Sequence, residues 1–155
     1  MSKTPPRVVG VHDGGDGVWG VTSLEGGSDE FQTEPCTRCP WRKDAPAGAF
    51  PAEVFRFSAR TSYDMSDKVF GCHAAGSRRP KTCAGFLLRG AAHNLAIRLR
   101  LSRVDFSTVQ SPVELYDNYR AMAVANGVSP DDPALAACRD DQFVTYLPHD
   151  DGGRR

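Results

Sequence analysis

The stretch EPCTRCPWRKDAPAG, residues 34–48, separates Cys36 from Cys39 by two residues and continues with Pro40 and Trp41. In a C-x2-C pair, a tight turn directs two thiolates at one centre while backbone amides hydrogen-bond the sulfur atoms. The pair therefore predicts a site built on cysteine, with a metal or a cluster in it.

Two further thiols lie in FGCHAAGSRRPKTCAGF, residues 70–86. Four thiols fit one tetrahedral site, and ligands outside the pair can come from any segment that the fold brings close. The alternative is a set of inert buried thiols, since free cysteine is among the most buried residues. The predicted metal- or cofactor-binding residues are Cys36, Cys39, Cys72 and Cys83.

The spacing leaves the identity of the cofactor open between zinc and a four-iron four-sulfur cluster. A zinc ribbon usually has a second C-x2-C pair, whereas ten residues separate Cys72 from Cys83. Pro40 directly after Cys39 is typical of the Cys-Pro that ends many iron-sulfur ligand runs. The missing second C-x2-C pair does not exclude zinc, and Pro40 does not establish an iron-sulfur cluster.

Two neighbouring residues compete for one place in this set. Side chains at Cys72 and His73 generally cannot both reach one centre, so we predict Cys72 as the ligand. His73 is then a hydrogen-bond donor to a sulfur atom, or the replacement ligand in a three-cysteine, one-histidine zinc site. Cys138 has no neighbouring partner in the sequence and is interpreted as a core or exposed thiol without a role.

The composition is that of an ordinary globular protein. The chain has 155 residues, of which 40% are hydrophobic and 25% charged, and a formal net charge of zero. We expect one domain, without a spanning helix or a signal peptide, and hence a cytoplasmic protein. In a reducing cytosol, clustered cysteines more often bind metal or carry out redox chemistry than form disulfides.

The chain before the cysteines predicts a β-hairpin. Strands are expected around Val8–His12 and Val18–Ser23, joined by a Gly- and Asp-rich turn that suits positive backbone dihedrals. The following residues, 24–35, are polar and predict a connector into the cysteine pair.

The rest of the chain predicts helices. A short one should begin at Pro51, and a long amphipathic one at about Cys83, with a buried stripe of Leu88, Ala92, Leu95 and Leu99. Gly85 and Gly90 weaken that long helix, so they predict close packing against another element.

Residues 111–126 carry the signals of a further helix. Ser111 and Glu114 would form a capping box, and Asn126 with Gly127 would end the helix. A last short helix is expected up to about Cys138. The predicted fold is α+β and mostly helical, a small metal- or cluster-centred single domain with an N-terminal β-hairpin. Its parts are a globular domain over 1–146 (hairpin 7–23, connector 24–35, cysteine-site core 36–104, C-terminal helices 111–138) and a disordered tail over 147–155.

Charge is unevenly distributed along the chain. From Lys68 to Val104 there are eight Lys or Arg and no Asp or Glu. Such a block either faces an anionic partner or is neutralised by acidic residues within the fold, for which the acidic C-terminal third is the expected source. If the partner is a nucleic acid, the predicted phosphate contacts are Arg78, Arg79, Lys81, Arg89 and Arg100, with His93 on the same face of the long helix.

The ordered set PCTRCPWR, FPAEVF, FGCHA and CAGFLLRGAAHNLAIRL, followed by ELYDNYRAMAVANGVSPDDPAL, resembles a family of small proteins. That family comes from actinobacteria and their phages and is known under a domain-of-unknown-function label. The resemblance spans about residues 34–138. It implies a single cytosolic domain with the cysteines as its shared core, and no established activity.

Three functions follow as hypotheses. The first is a metal- or iron-sulfur-binding protein, regulatory and in contact with nucleic acid or another protein. The second is a redox-active protein that uses a cluster or the Cys36 and Cys39 dithiol, and the third is a structural zinc module for protein contacts. The sequence contains no Gly-rich phosphate loop, Ser nucleophile elbow or H-E-x-x-H helix, so an enzyme is the less favoured interpretation.

Overall fold

The computed structural model describes residues 4–27 and 29–142, so the tail predicted over 147–155 lies outside the described residues. An N-terminal hairpin precedes four short helices and two 3-10 turns. The elements are β1 (Thr4–Asp13), β2 (Gly20–Gly27), α1 (Ala52–Ser58), α2 (Ala84–Arg89), α3 (Leu95–Arg100), α4 (Tyr119–Ala125) and the 3-10 turns Ala59–Ser62 and Pro133–Leu135. No helix in these two described ranges is long and apolar enough to cross a membrane.

The predicted hairpin is confirmed, with longer strands than expected. β1 pairs with β2 in antiparallel register, with irregularities on either side of Arg7 and Val8. In the turn, Gly15 and Gly17 have φ values of 93° and 76°, and the Asp16 carboxylate accepts hydrogen bonds from the next backbone amides. The turn residues therefore do what the sequence predicts of them.

The long helix predicted from Cys83 is divided into α2 and α3. Asn94 lies between them, 1% exposed, where its side-chain oxygen accepts from the backbone amide of Ile97 and begins α3. Its amide group donates to the carbonyls of Thr61 and Lys68. Because a buried Asn that bonds to distant backbone caps a new helix better than it continues an old one, the helix is interrupted there.

Because the predicted helix is divided, a different face of α3 is buried than the one predicted. Leu99 was placed on the buried stripe by the periodicity, yet it is 62% exposed, while Ile97 is fully buried. The break resets the helical phase, so a single 3.6-residue period does not describe the whole segment.

The helix predicted from Ser111 begins only at Tyr119. The Ser111 hydroxyl bonds locally to the backbone of Val113, and Asn118 is the cap whose side chain accepts from Ala121. The predicted capping box is therefore wrong, because residues 114–116 are extended and pair with residues 41–43. The predicted stop is confirmed, since α4 ends at Asn126 and Gly127 has a φ of 103°.

Residues 130–138 also form less helix than expected. Only the 3-10 turn Pro133–Leu135 is found there, and Asp132 caps it by accepting from the backbone amide of Ala134. The α+β class with an N-terminal hairpin thus holds, but helix takes up less of the chain than the sequence predicts.

Trp41 lies at the centre of the core. It is fully buried, with its ring edge-on to Phe70 at 5.8 Å and to Tyr119 at 5.7 Å between centroids. A Cβ atom placed on Gly85 would lie 2.6 Å from the Trp41 Cβ, and one on Gly90 would lie 2.5 Å from its Cη2. The two glycines therefore form a notch in which the indole sits, and the close packing predicted for them is confirmed.

Replacing Gly85 with Ala should lower the free energy of unfolding by about 1 to 3 kcal/mol, because the new methyl group meets the root of the indole. Urea unfolding measures the effect. Gly10→Ala is the matched control, since a Cβ on Gly10 has no heavy atom within 4 Å. Equal stability of the two variants would contradict the notch.

Candidate functional site

A short antiparallel pairing brings Cys72 and Cys83 to neighbouring positions. The amide of Cys72 donates to the carbonyl of Lys81 at 2.8 Å, and the amide of Cys83 donates to that of Phe70 at 3.0 Å. Residues 73–80 form the loop between the paired segments. The ten residues between Cys72 and Cys83, which depart from the spacing of a zinc ribbon, are this loop together with Lys81 and Thr82 of the returning segment.

Thr82 joins this unit to the connector that precedes the cysteine pair. Its amide donates to the carbonyl of Glu30, and its carbonyl accepts from the amide of Gln32, both at 2.9 Å. The Gln32 side chain then reaches the site, where Nε2 lies 3.3 Å from the sulfur of Cys72. The connector is therefore a third extended segment that positions a hydrogen-bond donor to a thiol.

The Cys36 and Cys39 pair sits on a tight turn. The Cys39 amide donates to the carbonyl of Cys36, and the Arg42 amide donates to that of Cys39, both at 3.1 Å. The Arg42 guanidinium also bonds to the Cys36 carbonyl at 3.3 Å. With Trp41 held in the glycine notch two residues later, the turn is fixed against α2, whose N-cap is Cys83.

Cys36, Cys39, Cys72 and Cys83 form a loose thiol cluster, in which neighbouring thiols shift the pKa of Cys36, Cys39 and Cys83. The sulfur atoms of Cys39 and Cys83 are 3.7 Å apart. The Cys36 thiol lies near the Cys72 and Cys39 side chains, both of which raise its pKa. Within residues 4–27 and 29–142, however, no group of three or more His, Cys, Asp or Glu side chains is arranged as it would be around a metal ion.

Burial and mutual contact set the acidity of these thiols. Burial and the Cys72 thiol raise the pKa of Cys36 to about 11. The hydrogen bond from Cys83 lowers the pKa of Cys39, and the same bond together with burial raises that of Cys83 well above its usual range. Of these three thiols, Cys39 is therefore the one whose deprotonation its surroundings favour.

Cys138 lies apart from the cluster. Its sulfur contacts the carbonyl of Ala59 at 3.7 Å, and burial raises its pKa to about 11. It is 7% exposed, a core thiol.

His73 lies beside Cys36 rather than inside the cluster. Its Nδ1 is 3.9 Å from the Cys36 sulfur, and its ring packs edge-on against Phe50 at 5.2 Å. Burial and the charge of Arg38 lower the pKa of His73, so the imidazole is neutral at neutral pH. It can therefore either donate to the Cys36 sulfur or offer a lone pair.

The basic block is partly paired within the fold. Arg79 bonds to Glu30 at 3.2 Å, while Arg100 and Arg103 share Asp29 at 3.2 and 2.7 Å. Most of the acidic partners therefore come from the connector and not from the C-terminal third. Lys68 pairs with its neighbour Asp67, and His93 bonds to Asp141 in the C-terminal third.

The five predicted phosphate contacts do not share one exposed face. Arg78 and Arg79 are exposed and Lys81 is half-buried beside them. Arg89 is half-buried, with a guanidinium bond to the carbonyl of Leu88. The Arg100 side chain is only 18% exposed and donates to the Thr82 hydroxyl.

Sequence reasoning did not identify three residues that support the site: Gln32, Arg42 and Arg100. Gln32 carries no sequence signal, because its role depends on a pairing between segments far apart in the chain. The arginine after Trp41 could have been noted, since a cation next to a C-x2-C pair favours thiolates.

Residues 31–139 match the model of a family of unknown function, DUF6283. This range agrees with the segment over which the sequence resembles such a family, while the actinobacterial and phage origin stays a prediction. No curated protein and no solved structure matches the chain.

In the metal-free protein, alkylation of Cys36 should be slow at neutral pH although this thiol is half-exposed. Because its pKa is raised to about 11, the rate should rise about tenfold per pH unit from about pH 8 to pH 10. In urea, the rise should level off near the ordinary thiol pKa. Mass spectrometry of tryptic peptides measures both rates, and identical pH profiles would contradict the assigned environment.

Asp29→Asn should destabilise the protein by about 1 to 3 kcal/mol, since the largely buried Arg100 guanidinium loses its ionic partner. Glu25→Gln is the control, because its pair with Arg7 is exposed on both sides and should contribute little. Thermal unfolding at low and moderate salt compares the two. A larger effect of Glu25→Gln would show that Asp29 is not a structural partner.

Proposed function

Since the chain belongs to this family of unknown function, we propose from the site itself that the protein binds one metal ion through Cys36, Cys39, Cys72 and Cys83. The observation that supports this most directly is the contact between the Cys39 and Cys83 sulfur atoms at 3.7 Å, with Cys36 and Cys72 near enough to act on the pKa of their neighbours. Thiolates of this number suit zinc or an iron-sulfur cluster. A cation would replace the thiol hydrogens of the four cysteines.

Zinc is the cofactor that the distance between the Cys39 and Cys83 sulfur atoms favours. Four sulfur atoms at about 2.3 Å from a tetrahedral zinc lie about 3.8 Å from one another, and the Cys39 and Cys83 sulfur atoms are 3.7 Å apart. A four-iron four-sulfur cluster holds its cysteine sulfur atoms farther apart. The Cys39 and Cys83 sulfur atoms would have to move apart to bind an iron-sulfur cluster.

The donor set also fits a structural rather than an open catalytic site. Cys39, Cys72 and Cys83 are 1%, 7% and 3% exposed, and Gln32 donates to the Cys72 sulfur as outer hydrogen-bond partners of zinc thiolates do. With four cysteines as ligands, no coordination position is left for a substrate. The expected role of the ion is to hold the turn, the paired segments and α2 together.

A metal ion at this site would stabilise a fold whose helices are short. Its α-helices have six or seven residues, too short to be stable without tertiary packing. A metal that joins Cys36 to Cys83 closes a long loop and adds its binding free energy to folding.

The redox alternative has weaker support. Cys39 has the lowered pKa of a reactive thiol, but at 1% exposure it is out of reach of a protein or disulfide substrate. Contact with nucleic acid, a role in regulation, a protein partner and a cytoplasmic location stay predictions from the sequence.

Metal analysis of protein purified anaerobically tests the proposal. We expect about one zinc per chain, and Cys36→Ser or Cys83→Ser should lose the ion and melt at lower temperature. Cys138→Ser is the matched control and should keep both properties. A brown protein absorbing at about 400 nm would indicate iron and sulfur in place of zinc, and a metal-free wild type that melts like its Cys→Ser variants would contradict a metal site.

A further inference from the structure

The four thiols are unequally accessible. Cys36 is half-exposed, whereas the other three are 7% exposed or less. A small oxidant arriving from solvent therefore meets Cys36 first. The Cys72 side chain lies near enough to Cys36 to raise its pKa, and at 7% it is the most exposed of the other three.

The surroundings of Cys36 suit attack on a peroxide. Arg38 is exposed within the same turn, and its charge reaches the His73 ring that lies 3.9 Å from the Cys36 sulfur. A cation and an imidazole N–H beside a sulfur atom can stabilise the developing oxyanion of the leaving group. The buried pair, Cys39 and Cys83, has no such opening.

We infer that hydroperoxides oxidise this centre at Cys36, that Cys72 completes a disulfide with it, and that the metal leaves as a result. The inference rests on the proposed zinc site, in which the bound cysteines are thiolates. It assigns the protein a second property, a metal centre that responds to peroxide.

The reaction balances in two steps. The Cys36 thiolate attacks the outer oxygen of the hydroperoxide, the O–O bond breaks, and the departing oxyanion takes a proton, which leaves Cys36 as a sulfenic acid. The Cys72 thiolate then attacks the Cys36 sulfur, and the displaced hydroxide takes a second proton to become water. Two thiolates lose two electrons in total, and the hydroperoxide gains them.

Loss of two of four thiolates removes half of the ligand set. The remaining contact between Cys39 and Cys83 cannot hold zinc by itself, so release should accompany disulfide formation. A dithiol reductant together with zinc should restore the starting state.

The experiment treats zinc-loaded wild-type protein with up to one equivalent of hydrogen peroxide. A chromogenic chelator follows zinc release, and non-reducing peptide mapping identifies the first disulfide. We expect zinc release in step with a disulfide between Cys36 and Cys72. Cys138→Ser should release zinc at the wild-type rate. Cys36→His keeps a zinc ligand but has no sulfur at this position, so it should release zinc at no more than about one tenth of the wild-type rate.

The wild-type mapping decides the matter even if Cys36→His fails to fold. Zinc that stays bound at one equivalent of peroxide would overturn this inference, and so would a first disulfide between Cys39 and Cys83. Neither result would contradict the proposed zinc site. Absence of stoichiometric zinc before peroxide is added would overturn the proposed function and this inference together.

Discussion

The packing of the Trp41 indole against Gly85 and Gly90 is the contact on which the rest of the structure depends. It presses the turn that carries Cys36 and Cys39 against the helix that begins at Cys83. It also aligns residues 41–43 for pairing with residues 114–116, which lead into α4. One buried side chain thereby fixes the thiol cluster and the C-terminal part of the core relative to each other.

The sequence predicted those features that depend on local chemistry. The Gly- and Asp-rich turn indicated the hairpin, and two glycines inside an apolar stretch indicated a close approach by a large group. The C-x2-C spacing and two later cysteines indicated a shared site, which stays a prediction; the structure places the sulfur atoms of Cys39 and Cys83 3.7 Å apart. In each case the residue type restricts the backbone or the ligand chemistry directly.

What the sequence missed depends on partners distant in the chain. Asn94 begins α3 as its N-cap while its side chain also donates to the carbonyls of Thr61 and Lys68, so the helix that ends at Arg89 does not continue through it. Residues 114–116 are extended because the chain after Trp41 offers them backbone partners. The acidic partners of the arginines were expected in the C-terminal third, but Arg79 pairs with Glu30, and Arg100 and Arg103 pair with Asp29. Charge balance along the chain does not say which acids lie near an arginine in space.

The end of α4 has a consequence for the chemical lifetime of the protein. Asn126 precedes Gly127, and a glycine at that place hinders least the attack of its own amide nitrogen on the asparagine side chain, the reaction by which asparagine ages to aspartate. Here the side chain accepts from Gly48 and donates to the Met122 carbonyl, and the residue is only 7% exposed. Held in this way, the side chain is kept from turning towards that nitrogen, so its ageing requires local opening of the helix end. The rate at which the chain ages is therefore tied to how often that end unfolds.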